Sequence, residues 1–259
     1  MKQIKTGMKI CFFLGLCLLI STLASGQKEE ELKLVTQDFQ PFSYMENGSV
    51  AGPAVEIIHE VCAKINITPL IKLYPWRRAQ AMVEEGSAHG MFVIGWNQKR
   101  SEWLYFSPPI LNTEYGFFVR DDNPLEFKTL SDVEGYTVGA FGPSNTSRSL
   151  ETIKEQVPSI TLDITPDDES CFRKLDLGRV SAVYSNKNVG FALIRKLGFK
   201  NIRYAGCHRT LQYYIGFSQQ YNDKATIHRF NQAFLDLHKQ GKIQEILKRY
   251  LMEPAQIKY

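Results

Sequence analysis

"VEIIHEVCAKINITPLIKLYPWRRAQAMVEEGSAHGMFVIGW", Val55 to Trp96, decides the fold. Val55, Ile58, Cys62 and Ile65 recur at helical spacing, "PLIKLY" reads as a strand, and "WRRAQAMVEEG" returns to a helix that Gly86 closes. "GMFVIGW" follows as a short apolar run, the pattern of a buried strand. Strands alternating with helices of this length predict βαβ units and a mostly parallel sheet.

The alternation runs on in both directions. "LKLVTQ" is a strand upstream, and a second series begins after "EYGFFVR". Strand "YTVGAFG", a Pro-Ser-Asn-Thr turn, helix "SRSLETIKEQ", strand "ITLDIT", helix "ESCFRKLDLG", strand "VSAVYSN" and helix "VGFALIRKLG" succeed one another. "IRYAG" and "LQYYIGFS" read as two further strands. Two helices close the chain, "DKATIHRFNQAFLDLHKQ" and "IQEILKRYL", with Gly241 as the break between them. Two α/β lobes on one chain follow, with "EYGFFVR" and "QYYIGFS" as the crossings.

The first residues read as a secretory leader. Lys2, Lys5 and Lys9 precede the apolar run Ile10–Ile20, and Ala24-Ser25-Gly26 supplies small residues for cleavage before Gln27. Residues 1–26 are therefore expected to leave an exported, soluble chain of roughly 233 residues, enough for two small lobes. The net charge of +4 falls to about +1 once those three lysines go, which argues against a nucleic-acid surface. Cys11 and Cys17 depart as well. The remaining Cys62, Cys171 and Cys207 are an odd set, so no full disulfide framework exists, although a Cys171–Cys207 pair stays open. Cys62 falls on the apolar face of its helix as a small hydrophobe.

Five pieces, taken in order, resemble the type-3 periplasmic solute-binding proteins, the polar amino-acid receptors of ABC importers. They are "QPFSYMENGSVAGPAVEII", "RAQAMVEEGSAHGMFV", "NQKRSEWLYFSPPI", "LGRVSAVYSN" and "HKQGKIQEILKRY". The resemblance covers nearly all of the mature chain. It implies the two-lobed type II periplasmic-binding-protein fold, each lobe a mixed, mostly parallel sheet flanked by helices, joined by a two-strand hinge. Lobe 1 would be discontinuous, 27–119 and 215–259, with lobe 2 at 120–214. A monomer in the periplasm that closes on a small ligand and meets an ABC permease of the inner membrane is the implied biology.

The same resemblance assigns a site. Arg100, just ahead of Phe106-Ser107-Pro108-Pro109, stands where these receptors grip a ligand carboxylate, which a planar guanidinium fork matches. Phe39 stands at an aromatic wall and Trp76 at a ligand-covering position, with Tyr44 a further aromatic candidate. Trp96 and Gly95 end a buried strand, a usual place for ligand contacts in open α/β sheets. Ser144, Asn145 and Thr146 start a helix whose N–H groups suit both a cap and an anion, and Arg148 follows them. Asn186 occupies the place of the acid that pairs with a ligand ammonium, and supplies no countercharge; a buried ammonium would lose several kcal/mol of compensation in order-of-magnitude terms. A carboxylate with an aromatic or apolar body, or a ligand whose amine meets other groups, therefore fits at least as well as a standard amino acid.

Catalytic signatures are thin. There is no nucleophile elbow, phosphate loop or Cys-x-x-Cys, and the five histidines lack metal-ligand spacing, so neither cofactor nor metal is expected. The run Asp167-Asp168-Glu169 reads as a helix cap. Two other readings remain: a sensor that hands its ligand state to a membrane partner, and a secreted dehydratase-like enzyme of the same fold using Glu169 or Asp168.

Overall fold

The computed structural model describes residues 30–258. The expected leader, with Cys11 and Cys17, lies outside the described residues. The first series comprises β1 (Glu30–Thr36), a β2–β3 hairpin (Tyr44–Glu46 and Ser49–Ala51), α1 (Pro53–Lys64), β4 (Ile67–Leu73), α2 (Trp76–Glu84), β5 (Gly90–Gly95), α3 (Gln98–Ser101) and β6 (Leu104–Phe106). The long β7 (Leu111–Arg120) leads to β8 (Thr137–Phe141), α4 (Asn145–Gln156), β9 (Thr161–Thr165), α5 (Asp168–Asp176), β10 (Ala182–Asn186) and α6 (Lys187–Leu197). Then come β11 (Ile202–Ser218), α7 (Lys224–Lys239) and α8 (Lys242–Arg249).

One sheet holds the strands in the order β4-β1-β5-β11-β7-β10-β8-β9, with β6 pairing β11. The groups β4-β1-β5 and β10-β8-β9 are each parallel, whereas β11 and β7 run antiparallel to each other and to their outer neighbours. The expected mixed α/β character is therefore present, but the sheet is not mostly parallel, because the long β7 and β11 pair antiparallel with each other and with β10, β5 and β6. Both faces of the sheet are covered, which is why β5 is apolar and buried along its whole length. Helices α1, α5, α6, α7 and α8 share one continuous core, while α2 and α4 pack the opposite face at either end.

"IRYAG" and "LQYYIGFS" are not two strands but one, the 17-residue β11. It stays continuous because bulges between Tyr204 and Gly206 and between Cys207 and Arg209 absorb the irregular residues; Gly206 takes φ +149° there. The β2–β3 hairpin was not foreseen, although its Asn47-Gly48 turn, both residues at positive φ, is the usual two-residue hairpin signal. Cys171 is buried under α5, Cys207 is exposed on β11, and neither is bonded, so the open question of that pair is answered against it. Among the described residues, no helix is long and apolar enough to cross a membrane.

Residues Ile202–Tyr213 of β11 pair with β7, and Tyr213–Phe217 pair with β5, so these two long strands join the parallel groups. Their approach is close: a Cβ at Gly116 would lie 2.2 Å from the Gly206 carbonyl oxygen and 2.2 Å from the Tyr204 hydroxyl. Backbone cannot yield as a side chain does. Gly116→Ala is expected to cost about 2 kcal/mol, several degrees of thermal midpoint. A melting curve superimposable on that of the parent chain would contradict this packing.

Candidate functional site

Arg100 is placed by a short local device. β5 ends at Gly95, and Asn97 caps the single turn α3, its side chain accepting from the Arg100 backbone N–H at 2.9 Å. The guanidinium turns back under the strand end and donates from Nη1 to the Gly95 carbonyl at 2.8 Å. It lies 5.3 Å from the centre of the Trp76 ring. Arg100 is only 6% exposed, yet no carboxylate pairs with it among the described residues. Burial pushes its pKa down to about 10, eased by the Tyr115 and Tyr213 hydroxyls and reinforced by Arg148. A buried cation with one neutral acceptor is an incomplete arrangement.

A small cavity of about 40 Å³ adjoins this arginine. Phe39, Trp76, Gly95, Ser144, Asn145 and Thr146, all singled out from sequence, line it with Arg100. Ser144 caps α4, accepting from the N–H groups of Thr146 and Ser147 at 3.0 and 3.2 Å, so the bland reading of that residue is correct. The positive end of the α4 dipole still borders the cavity. Asn145 reaches across, accepting from Asn97 Nδ2 at 3.0 Å and donating to the Gly95 carbonyl at 3.4 Å. Val93 also lines the space; it is the extra residue where β5 bulges against β11, at φ +58°. That conformation is costly for a β-branched residue and is typical of strain held at functional sites.

Three expected residues stand elsewhere. Trp96 is 53% exposed and lines an adjoining opening of about 910 Å³ with Lys99, Arg148 and Arg209. Tyr44 sits on the β2 hairpin near Glu46, Glu56 and Tyr250, away from the cavity. Asn186 is 1% exposed and lies behind the cavity, capping α6. Its Oδ1 accepts from Asn188 and Val189, and its Nδ2 donates to the Thr113 and Tyr213 hydroxyls at 2.7 and 3.1 Å.

Two cavity residues were missed, Tyr115 on β7 and Tyr213 on β11. Both line the cavity with Thr146 and Arg100, and the Tyr213 hydroxyl accepts from Asn186 Nδ2 at 3.1 Å. Burial raises both phenols above their ordinary range, so they stand as neutral hydrogen-bonding groups beside Arg100. Their signal in the sequence was a polar-tipped ring in each of the two crossing strands.

Beyond Phe39, Trp76 and Phe141 the cavity meets a second opening, about 840 Å³, lined also by Asp38, Asp167, Asp168, Glu169 and Lys196. The acidic run divides its labour here. Asp167 caps α5, accepting from the Ser170 N–H at 2.6 Å, and Glu169 pairs with Arg173 and Lys196. Asp168 accepts from Ser185 Oγ at 2.7 Å and has no ion pair among the described residues. Burial, with a smaller contribution from Asp167, pushes its carboxyl up to about 6 against the Ser185 hydrogen bond. No group of three or more His, Cys, Asp or Glu side chains is arranged to hold a metal among the described residues.

A carboxyl raised in the folded state favours folding most below its unfolded value, near 4. That contribution disappears as pH climbs through about 6. Asp168→Asn is accordingly expected to be more stable than the parent at pH 7.5, by about 1–3 kcal/mol, with the gap closing near pH 4. Urea titrations at the two pH values check this; an Asn variant that is less stable at pH 7.5 would refute the desolvated carboxylate.

Comparison with known proteins bears on this geometry. The profile of bacterial extracellular solute-binding proteins, family 3, matches residues 33–253. The "Probable amino-acid-binding protein YxeM" of Bacillus subtilis (strain 168) is 26% identical over 234 residues, covering 88% of each chain. Among solved structures, a histidine kinase sensor domain similar to periplasmic binding proteins superposes with a TM-score of 0.77 at 22% identity, over 88% of this chain and 98% of that one. An ancestral arginine-binding protein bound to arginine gives 0.76 at 18% identity, over 86% and 98%. Likeness at these identities carries the fold, and the profile carries the lineage: the chain belongs to the bacterial extracellular solute-binding proteins, family 3.

Proposed function

We propose that this protein captures an amino acid or a closely related small carboxylate by closing two lobes, 27–119 with 215–259 and 120–214, and delivers it to an ABC permease. Export by the 1–26 leader into the periplasm belongs to the same reading. The observation that carries it is Arg100, a charge nine-tenths buried whose guanidinium hydrogen-bonds, among the described residues, to one backbone carbonyl alone. A carboxylate would complete that fork with paired, charge-assisted hydrogen bonds. Phe39 and Trp76 would wall the ligand, Tyr115, Tyr213 and Thr146 would offer hydroxyls, and Gly95 its backbone. The Asn145 bridge to Asn97 and Gly95 supports a closed arrangement of the lobes. Capture requires no chemistry, only a ligand that touches both lobes and so favours the closed state. The amino-acid-binding name of the Bacillus relative supports the ligand class.

A sensing role shares this capture step, and the kinase sensor domain of like fold keeps it as the second reading. An enzymatic reading would have to use Asp168 as acid or base, against the binding character of the family.

Removing an uncompensated buried charge relieves the empty protein. Arg100→Met is thus expected to raise the midpoint of the ligand-free protein slightly, by about 1 kcal/mol in stability. The same change should abolish the thermal shift produced by amino acids. In the parent, a ligand at about a hundred times its dissociation constant adds roughly 2.7 kcal/mol. A methionine variant that still shifts as the parent does would remove the arginine clamp from the account.

A further inference from the structure

We propose that the α-ammonium of an amino-acid ligand is held by Asp168, at the first turn of α5, and not at residue 186. The inference rests on the carboxylate reading of Arg100 and specifies the ligand as a zwitterion. Asn186 is excluded by its own bonds. Both of its amide atoms are engaged inward, Oδ1 by the N–H groups of Asn188 and Val189, and Nδ2 by the hydroxyls of Thr113 and Tyr213. Its neighbour Ser185 instead holds Oδ1 of Asp168, which brings a carboxylate beside the end of β10. Oδ2 of Asp168 has neither a hydrogen-bond donor nor a cation among the described residues. The flanking acids are occupied, Asp167 as the cap of α5 and Glu169 with Arg173 and Lys196.

The charges around the cavities set the direction of the ligand. A space of about 40 Å³ beside Arg100 accommodates a carboxylate and little more. Phe39, Trp76 and Phe141 line both that space and the 840 Å³ opening in which Asp168 stands, while Gly95, Tyr115 and Asn145 line both that space and the 910 Å³ opening, so the charges of the two openings decide between them. The opposite opening carries Lys99, Arg148 and Arg209, which repel a cation. Tyr213 lines the space beside Arg100, and its hydroxyl accepts from Asn186, the neighbour of the Ser185 that holds Asp168, which brings the two charges to the same region of the site. A zwitterion would neutralise the buried guanidinium and the unpaired carboxylate together, as neither a simple carboxylate nor a simple amine would.

Isothermal titration of the exported chain against the twenty amino acids, then of the best binder beside its desamino carboxylate, tests this. The parent protein is expected to prefer the amino acid by about 10–100-fold, the range for one charged hydrogen bond. In Asp168→Asn, whose fold is checked by its melting curve, that ratio should fall to about threefold or less. A parent that takes both compounds equally, an Asn variant that keeps the full preference, or no binder among the twenty overturns the proposal. Arg100→Met separates the two ideas. Loss of both compounds in that variant upholds the carboxylate clamp whichever group holds the amine, whereas retention of both defeats the clamp itself.

Discussion

The β7–β11 ladder is the constraint from which the rest of the molecule follows. Two parallel groups of strands are joined into one sheet by this antiparallel pair, which lies between them. Because β11 reaches from Ile202 to Ser218, one strand touches β7 at one end and β5 at the other. The end of β5 then meets the start of α4, and Arg100 comes to face Ser144–Thr146 across a narrow space. Tyr115 and Tyr213 form the floor of that space and belong to the ladder themselves. Any relative movement of the two groups must act through these strands, and so through the hydroxyls beside the arginine.

The charges in this space are arranged against the stability of the empty protein. Among the described residues, a guanidinium is buried with one neutral acceptor, a carboxylate is held by a single serine, and Val93 is kept at a positive φ. The neighbouring Asn186, by contrast, engages both atoms of its amide. Such contrast within a few residues is the signature of groups whose complement arrives from outside. The two openings differ in charge, one basic at Lys99, Arg148 and Arg209, the other carrying Asp38, Asp167, Asp168 and Glu169 against Arg77 and Lys196, a contrast that would orient a dipolar ligand before it docks.

What could be read from the sequence depended on how local its cause was. The alternation of elements was legible because helical and strand periods are written into neighbouring residues, and because strands covered on both faces must be apolar throughout. The motif around Arg100 pointed to the residue that lines the cavity, and the capping of α4 was legible as the work of Ser144, Asn145 or Thr146, of which Ser144 provides it. Other features required distant pairing. "IRYAG" and "LQYYIGFS" fuse because β7 pairs with both, and nothing within either segment says so. Asn186 was recognised as a missing acid, but its engagement with Thr113 and Tyr213, 73 and 27 residues away in the chain, was not visible. Asp168 was absorbed into a cap that Asp167 alone provides; Ser185, which sets it apart, lies 17 residues on. Trp96 and Tyr44 followed strand ends and aromatic type, neither of which fixes the side to which a ring turns.

The most direct test is a crystal structure of residues 27–259 with the best-binding amino acid. The account requires a ligand carboxylate within about 2.7–3.2 Å of the Arg100 guanidinium, beneath Phe39 and Trp76, with the two sheet groups closed around it. A ligand seated among Lys99, Arg148 and Arg209, with the Arg100 fork still engaged by Gly95 alone, would contradict it.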